Sequence, residues 1–105
     1  MTVNDWCKTI HEWAKGKGFW PEGEERNKGE ICALIHSEVS ELLEGLRKPG
    51  PSDHVPELTL VEEELADIAI RLFDCSGGWG IDLENAIKLK HEYNKSRPHK
   101  HGKKF

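Results

Sequence analysis

The sequence predicts an all-α fold: one domain over residues 1–105, built as a four-helix bundle that oligomerisation completes. Three observations predict it. Apolar residues recur at helical spacing in four separate segments. Glycine or proline closes each segment. No stretch alternates apolar and polar residues for long enough to make a useful strand, and there is no internal repeat or low-complexity run.

In the first segment, residues 3–17, Val3, Trp6, Cys7, Ile10, Trp13 and Ala14 make the stripe, and Gly16 and Gly18 stop it. Phe19-Trp20-Pro21-Glu22-Gly23 reads as a loop. The second helix, residues 28–47, carries Ile31, Leu34, Ile35, Val39, Leu42 and Leu46, and ends before Pro49-Gly50-Pro51. Three prolines keep residues 49–58 out of any helix interior. Thr59-Leu60-Val61-Glu62 has the spacing of a capping box and opens a third helix over residues 59–76. Its predicted core face is Val61, Leu65, Ile68, Ala69, Leu72 and Phe73, and Gly77-Gly78 are expected to end it. Asp82 suits the N-cap of a fourth helix, residues 82–96, with Leu83, Ala86 and Ile87 facing inward. Pro98 closes it, and residues 98–105 are expected to be a flexible tail.

Composition narrows the class. A chain of 105 residues has room for one modest core. Four Trp, three Phe and regular Ile/Leu/Val argue against disorder. No run approaches the roughly 18 apolar residues of a membrane helix, so no membrane partner is expected. The N-terminus lacks the basic and apolar regions of a signal peptide. With three cysteines and no CxxC, a disulfide framework is not expected, and the setting reads as cytoplasmic. The net charge of −4 divides unevenly: residues 88–105 carry +6 and the first 87 carry −10. An acidic body with a basic end suits a ligand that pairs with both signs, such as a metal-bound phosphate; a solvated acidic surface with a basic tail reads equally from charge alone.

The chemical signal lies on the second helix. At about 100° per residue, Glu38 falls inside the apolar stripe and Glu41 at its edge. Residues three apart on a helix have Cβ atoms about 5–6 Å apart. Two carboxylates on a buried face repel each other and lose solvation, and a divalent cation compensates directly. Glu64 and Asp67 form a second such pair on the third helix. There Glu63, Glu64, Asp67, Arg71 and Asp74 share one polar arc, which alone reads best as a solvated face. If antiparallel helices join the two pairs, four carboxylates make one cage. On the fourth helix Lys90, Asn94 and Arg97 continue the stripe of Leu83 and Ile87, and inward cations and amides there would suit a phosphate. Snorkelling at the bundle's end is the structural alternative.

Glu38-x-x-Glu41, a gap of 22 residues, and Glu64-x-x-Asp67 resemble the motif of the all-α nucleoside triphosphate pyrophosphohydrolases, the MazG-like superfamily. Ile35-His36-Ser37-Glu38-Val39-Ser40-Glu41-Leu42 is similar to that family's first metal helix, and Glu63-Glu64-Leu65-Ala66-Asp67 to its second. Tyr93-Asn94-Lys95-Ser96-Arg97-Pro98 and His101-Gly102-Lys103-Lys104 resemble the C-terminal helix and tail of small single-domain members. The resemblance implies a MazG-like bundle, a dimer or tetramer, that hydrolyses a nucleoside triphosphate to the monophosphate and pyrophosphate. It implies that Glu38, Glu41, Glu64 and Asp67 hold Mg²⁺, for which Mn²⁺ can substitute, and a house-cleaning role on non-standard or surplus nucleotides. In that setting Glu38 or Glu41 would orient or deprotonate the attacking water. Lys90, Asn94 and Arg97 would hold phosphates or sugar, Trp20 would stack on a base, and Lys28 would reach a phosphate.

Rival readings are weaker. A di-iron bundle needs Glu-x-x-His, and none of the six histidines lies three residues after a glutamate. Cys7/His11 and Cys32/His36, each at i, i+4, have a zinc-like spacing that also recurs by chance. A nucleic-acid binder is not expected from an acidic body. A non-catalytic helical dimer acting as an adaptor explains the bundle but not a glutamate inside an apolar stripe.

Overall fold

The computed structural model describes residues 1–98; the expected tail, all but Pro98, and the +6 charge of the C-terminal end, in part, lie outside the described residues. Four helices follow one another: α1 (Val3–Gly16), α2 (Lys28–Arg47), α3 (Leu60–Gly78) and α4 (Leu83–Lys95). There is no strand among the described residues, only an isolated bridge between Pro51 and Thr59.

Side chains cap every helix start. Thr2 and Asp5 form a capping box on α1, and Thr59 and Glu62 form the predicted one on α3. Asn27 accepts from the Glu30 N–H and Asp82 from the Asn85 N–H, so each satisfies one of the orphan donors at a helix start. Asn4 ties the start of α1 to that of α4: its amide donates to Asp82 at 2.8 Å, and its carbonyl accepts from the Glu84 N–H at 3.1 Å.

The third helix runs two residues beyond its predicted end, through Gly77 and Gly78. These glycines are packing residues inside the helix and do not terminate it. A Cβ on Gly77 would lie 2.7 Å from the Cβ of His11 and 2.8 Å from the Cys7 carbonyl oxygen. One on Gly78 would meet the Trp20 ring at 2.6 Å. The turn out of α3 comes instead at Gly80, whose φ of +66° suits glycine.

Helix α3 is the centre of the fold: α1 packs on it from one side and α2 from another, while α4 touches only α1 to any extent. On the α2 side Gly45 is buried and lets Leu60 and Val61 approach. The connection between α2 and α3 folds on itself, with Ser52 buried and accepting the N–H groups of His54 and Val55.

Two expectations about facing are corrected. The polar arc of α3 is not solvated: Glu63 and Glu64 are buried, and Asp67, Arg71 and Asp74 are half-buried. Part of the predicted core face points outward instead, with Leu65 53% and Leu72 41% exposed. On α4, Ala86 and Ile87 are exposed, and so are Lys90 and Asn94. The reason is the same in both cases. Helical spacing shows that a face is apolar, but within one chain α4 has little to pack on and α3 turns its charged side to its neighbours. Among the described residues the buried hydrophobic ones are only Cys7, Ala14, Ile31 and Cys75, and no large side chain there is fully buried.

Candidate metal centre

The crossing of α2 and α3 brings three carboxylates together. Glu38, Glu64 and Asp67 each offer an oxygen, and the three atoms lie within 4.8 Å of one another. The pair on α3 is one turn apart, and Glu38 faces it from α2. Glu64 is 8% exposed, and its Oε2 is buried without a hydrogen-bond partner. Burial pushes the Glu64 carboxyl above its usual range, and the charges of Asp67, Glu38, Glu41 and Glu63 push it further. Asp67 is raised too, by burial first and then by Glu38 and Glu63. A buried carboxylate oxygen with no donor is costly unless something cationic meets it. Carboxylate oxygens with one unsatisfied position could hold a hard divalent cation.

The positive charge already present comes from Arg71, whose Nε donates to Glu38 Oε1 at 3.0 Å across the α2–α3 interface. Arg71 also lowers the Asp67 carboxyl, against the stronger upward pushes. Beside the cluster, His54 from the α2–α3 connection donates through Nδ1 to the buried Glu63 at 2.9 Å when that nitrogen carries the proton. This bond, followed by the charge of Glu63, raises the His54 pKa above 6.5. A raised histidine stabilises the fold fully below its unfolded value and loses that contribution as pH rises through the folded value. The melting temperature of His54→Ala should therefore fall furthest behind wild type below pH 6.5, and the gap should close on the alkaline side. A gap independent of pH would show that His54 contributes by packing alone.

Glu41 is exposed, one turn from Glu38, and stands outside the trio, though close enough for Glu64 to feel its charge. The structure does not bring the α4 residues to the carboxylates. Lys90 and Asn94 line a shallow groove made by α4 residues alone, and the Lys90 ammonium sits 4.6 Å from the Tyr93 ring centre. The half-buried Arg97 also lies over Tyr93, at 5.1 Å. Lys28 is exposed over Trp79, at 5.7 Å. Trp20 is already engaged: its indole N–H donates to both Asp74 oxygens at 3.0 and 3.1 Å. Arg26 lies 4.6 Å over its ring, and the ring of His11 packs edge-on at 4.9 Å. His11 and Asp74 are 3.0 Å apart. With its polar atom bonded and a face covered, Trp20 serves as a brace between the loop after α1 and helix α3.

A cavity of about 420 Å³ opens beside the trio. Glu38, Asp67 and Arg71 line it on the carboxylate side, and Arg26, Asp74 and the aromatic rings of Trp13 and Phe19 also line it. Those two rings are 6.2 Å apart. Arg71, Trp13 and Phe19 were not among the sequence-derived candidates. Trp13 reads in sequence as a core residue of α1, yet it is 58% exposed and lines the cavity.

The zinc spacing does not assemble. Cys7 is buried, Cys32 and His36 are exposed, and His11 is engaged by Asp74. Among the described residues the carboxylate trio is the one group that gathers three ligand atoms. No helix among the described residues is long and apolar enough to cross a membrane. No family model, curated protein or solved structure matches this chain.

Proposed function

We propose that this chain is a Mg²⁺-dependent nucleoside triphosphate pyrophosphohydrolase of the MazG-like kind, acting as a homo-oligomer in the cytoplasm and clearing non-standard or surplus nucleotides. The observation that carries the reading is the unpartnered, buried Oε2 of Glu64 inside a three-carboxylate cluster next to a cavity of nucleotide-like size.

Glu38, Glu64 and Asp67 would hold the ion, and Glu41 would complete the ring from the rim. Bound there, Mg²⁺ (or Mn²⁺) supplies neutralisation of phosphate charge and a more acidic water. The chain's own residues do the rest. Water attacks the α-phosphorus, a P–O bond forms, the α–β anhydride bond breaks and pyrophosphate leaves. The water's proton passes to a carboxylate, and Glu41, exposed and clear of the Arg71 pair, is better placed for it than Glu38. The rings of Trp13 and Phe19 offer the base an apolar surface in place of the engaged Trp20. Lys90, Asn94 and Arg97 would reach substrate only across an interface with a second copy. The exposed apolar residues Val39, Leu43, Leu46, Leu65, Ile70 and Leu72 on α2 and α3 support such an assembly.

The test is pyrophosphate and orthophosphate release from a panel of ordinary and modified (d)NTPs, with Mg²⁺ and with EDTA. Mg²⁺-dependent pyrophosphate release is expected. Asp67→Asn and Glu38→Gln should each abolish it with helix content intact, and full activity in either variant would refute the cage. No release by well-folded protein would favour the non-catalytic helical interaction module. Millimolar Mg²⁺ should also raise the melting temperature, because an ion that binds only the folded cage stabilises it.

A further inference from the structure

We propose that Arg71 is a polyphosphate ligand, and that its guanidinium bridges the metal-site carboxylate Glu38 and the anionic part of the substrate. The inference rests on the pyrophosphohydrolase reading and adds to it a residue outside the two acidic motifs.

The geometry gives Arg71 two working edges. Its Nε is committed to Glu38 Oε1 at 3.0 Å, with Glu38 arriving from the opposite helix. Its terminal amino groups make no hydrogen bond to a described residue, and the side chain lines the cavity beside Asp67. Arginine–carboxylate pairs are frequently bidentate, and this one uses Nε alone. Here the fork is left toward open space, next to the place where a metal-bound anion would sit.

Charge supports the same assignment. Glu38, Glu63, Glu64 and Asp67 crowd this corner, and Arg71 meets two of them, Glu38 through its hydrogen bond and Asp67 through its charge. Arg26 cannot substitute fully, because it is stacked on Trp20 and 4.0 Å from Asp74. A triphosphate brings more negative charge than one divalent ion offsets, and a planar fork of donors beside the ion matches phosphate oxygens. Arg71 would keep Glu38 oriented through Nε and bind a phosphate through its Nη atoms.

The experiment compares two affinities in wild type, Arg71→Gln and Arg71→Lys. One is for Mn²⁺ alone, by titration calorimetry or electron paramagnetic resonance. The other is for a non-hydrolysable α,β-imido nucleoside triphosphate at saturating Mn²⁺. Arg71→Gln should bind Mn²⁺ as tightly as wild type or tighter, because a competing positive charge has gone. It should bind the analogue about 10–100-fold more weakly, the size expected for lost charge-assisted hydrogen bonds. Arg71→Lys should recover only part of that loss, since it restores charge without the fork. Unchanged analogue affinity in Arg71→Gln would overturn the proposal. So would a parallel fall in both affinities in Arg71→Gln and Arg71→Lys, which would mean that Arg71 only braces Glu38. Wild type that binds no Mn²⁺ would instead refute the metal centre, and this proposal with it.

Discussion

Glu64→Gln is expected to lose pyrophosphate release by more than about 100-fold, beyond the cost usual for outer-shell changes at metal sites, and yet to melt higher than wild type when no metal is present. On the proposed reading, the activity loss follows from removing a metal ligand. The stability gain follows from the unpartnered Oε2. In the empty cage Glu64 is buried, lacks a donor at that oxygen, and is repelled by Asp67, Glu38, Glu41 and Glu63. A neutral amide removes the repulsion and offers N–H groups to the neighbouring carboxylates. Removing an unsatisfied buried group of this kind is worth about 1 kcal/mol or more, or roughly 4–8 °C in a domain of this size. The sign in pH is fixed by the raised carboxyls. The folded state holds protons that the unfolded state has released, so the metal-free protein loses stability as pH rises from the ordinary values of 4.5 for Glu64 and 3.8 for Asp67 through their raised ones. In Glu64→Gln that slope should flatten. Millimolar Mg²⁺ should reverse the order of the two proteins, stabilising wild type and leaving the variant nearly unmoved. Differential scanning fluorimetry across pH, with Mg²⁺ and with EDTA, checks each part. A variant that melts below wild type in EDTA would show that Glu64 is satisfied in the empty fold.

Gly77→Ala is expected to be strongly disruptive for a single added methyl. In a helix interior, glycine to alanine ordinarily gains about 1 kcal/mol. Here the new Cβ would stand 2.7 Å from the Cβ of His11 and 2.8 Å from the carbonyl oxygen of Cys7. The carbonyl is backbone inside α1 and cannot swing away, so the helices must separate. Overpacking of this kind costs about 1–3 kcal/mol after the helix gain is lost in it. The displacement would also move His11 from Asp74. Urea denaturation should show the loss as a lower midpoint with an unchanged slope. Gly16→Ala is the control: no heavy atom lies within 4 Å of its Cβ position, and no loss is expected.

The caps made the helices readable. Thr59 with Glu62, and Asp82, mark starts that the structure reproduces within a residue. Glu38 was readable because a charge inside an apolar stripe is an energetic contradiction that needs an answer. What the stripe could not reveal is which answer, and Arg71 supplies part of it from another helix. Glu64 and Asp67 were harder from first principles, since their arc looks solvated until α2 and α1 are seen to cover it. Only the spacing shared with Glu38 and Glu41 joined the two pairs. Gly77 and Gly78 misled because glycine signals both helix ends and close helix crossings, and nothing local tells these apart. The inward facing expected of α4 is not found within one chain for a related reason. Lys90 and Asn94 lie on a stripe whose apolar members have almost nothing within the chain to cover them.

The central place of α3 also sets a schedule for synthesis. Both of its packing partners precede it in the chain. The bond from Arg71 to Glu38 spans 33 residues, and the one between His11 and Asp74 spans 63. Loop closure costs little extra for such a doubling. Time is another matter: at about 5–20 residues per second, α1 leaves the ribosome on the order of 3–12 s before the helix it must meet. During that wait Cys7 and His11 have no Gly77 to pack against. Only when α3 emerges can the carboxylates of α2 and α3 meet and the cavity between α1, α2 and α3 close. Anything that slows the appearance of α3, such as a run of rare codons across residues 48–59, lengthens the period in which neither half of the site exists.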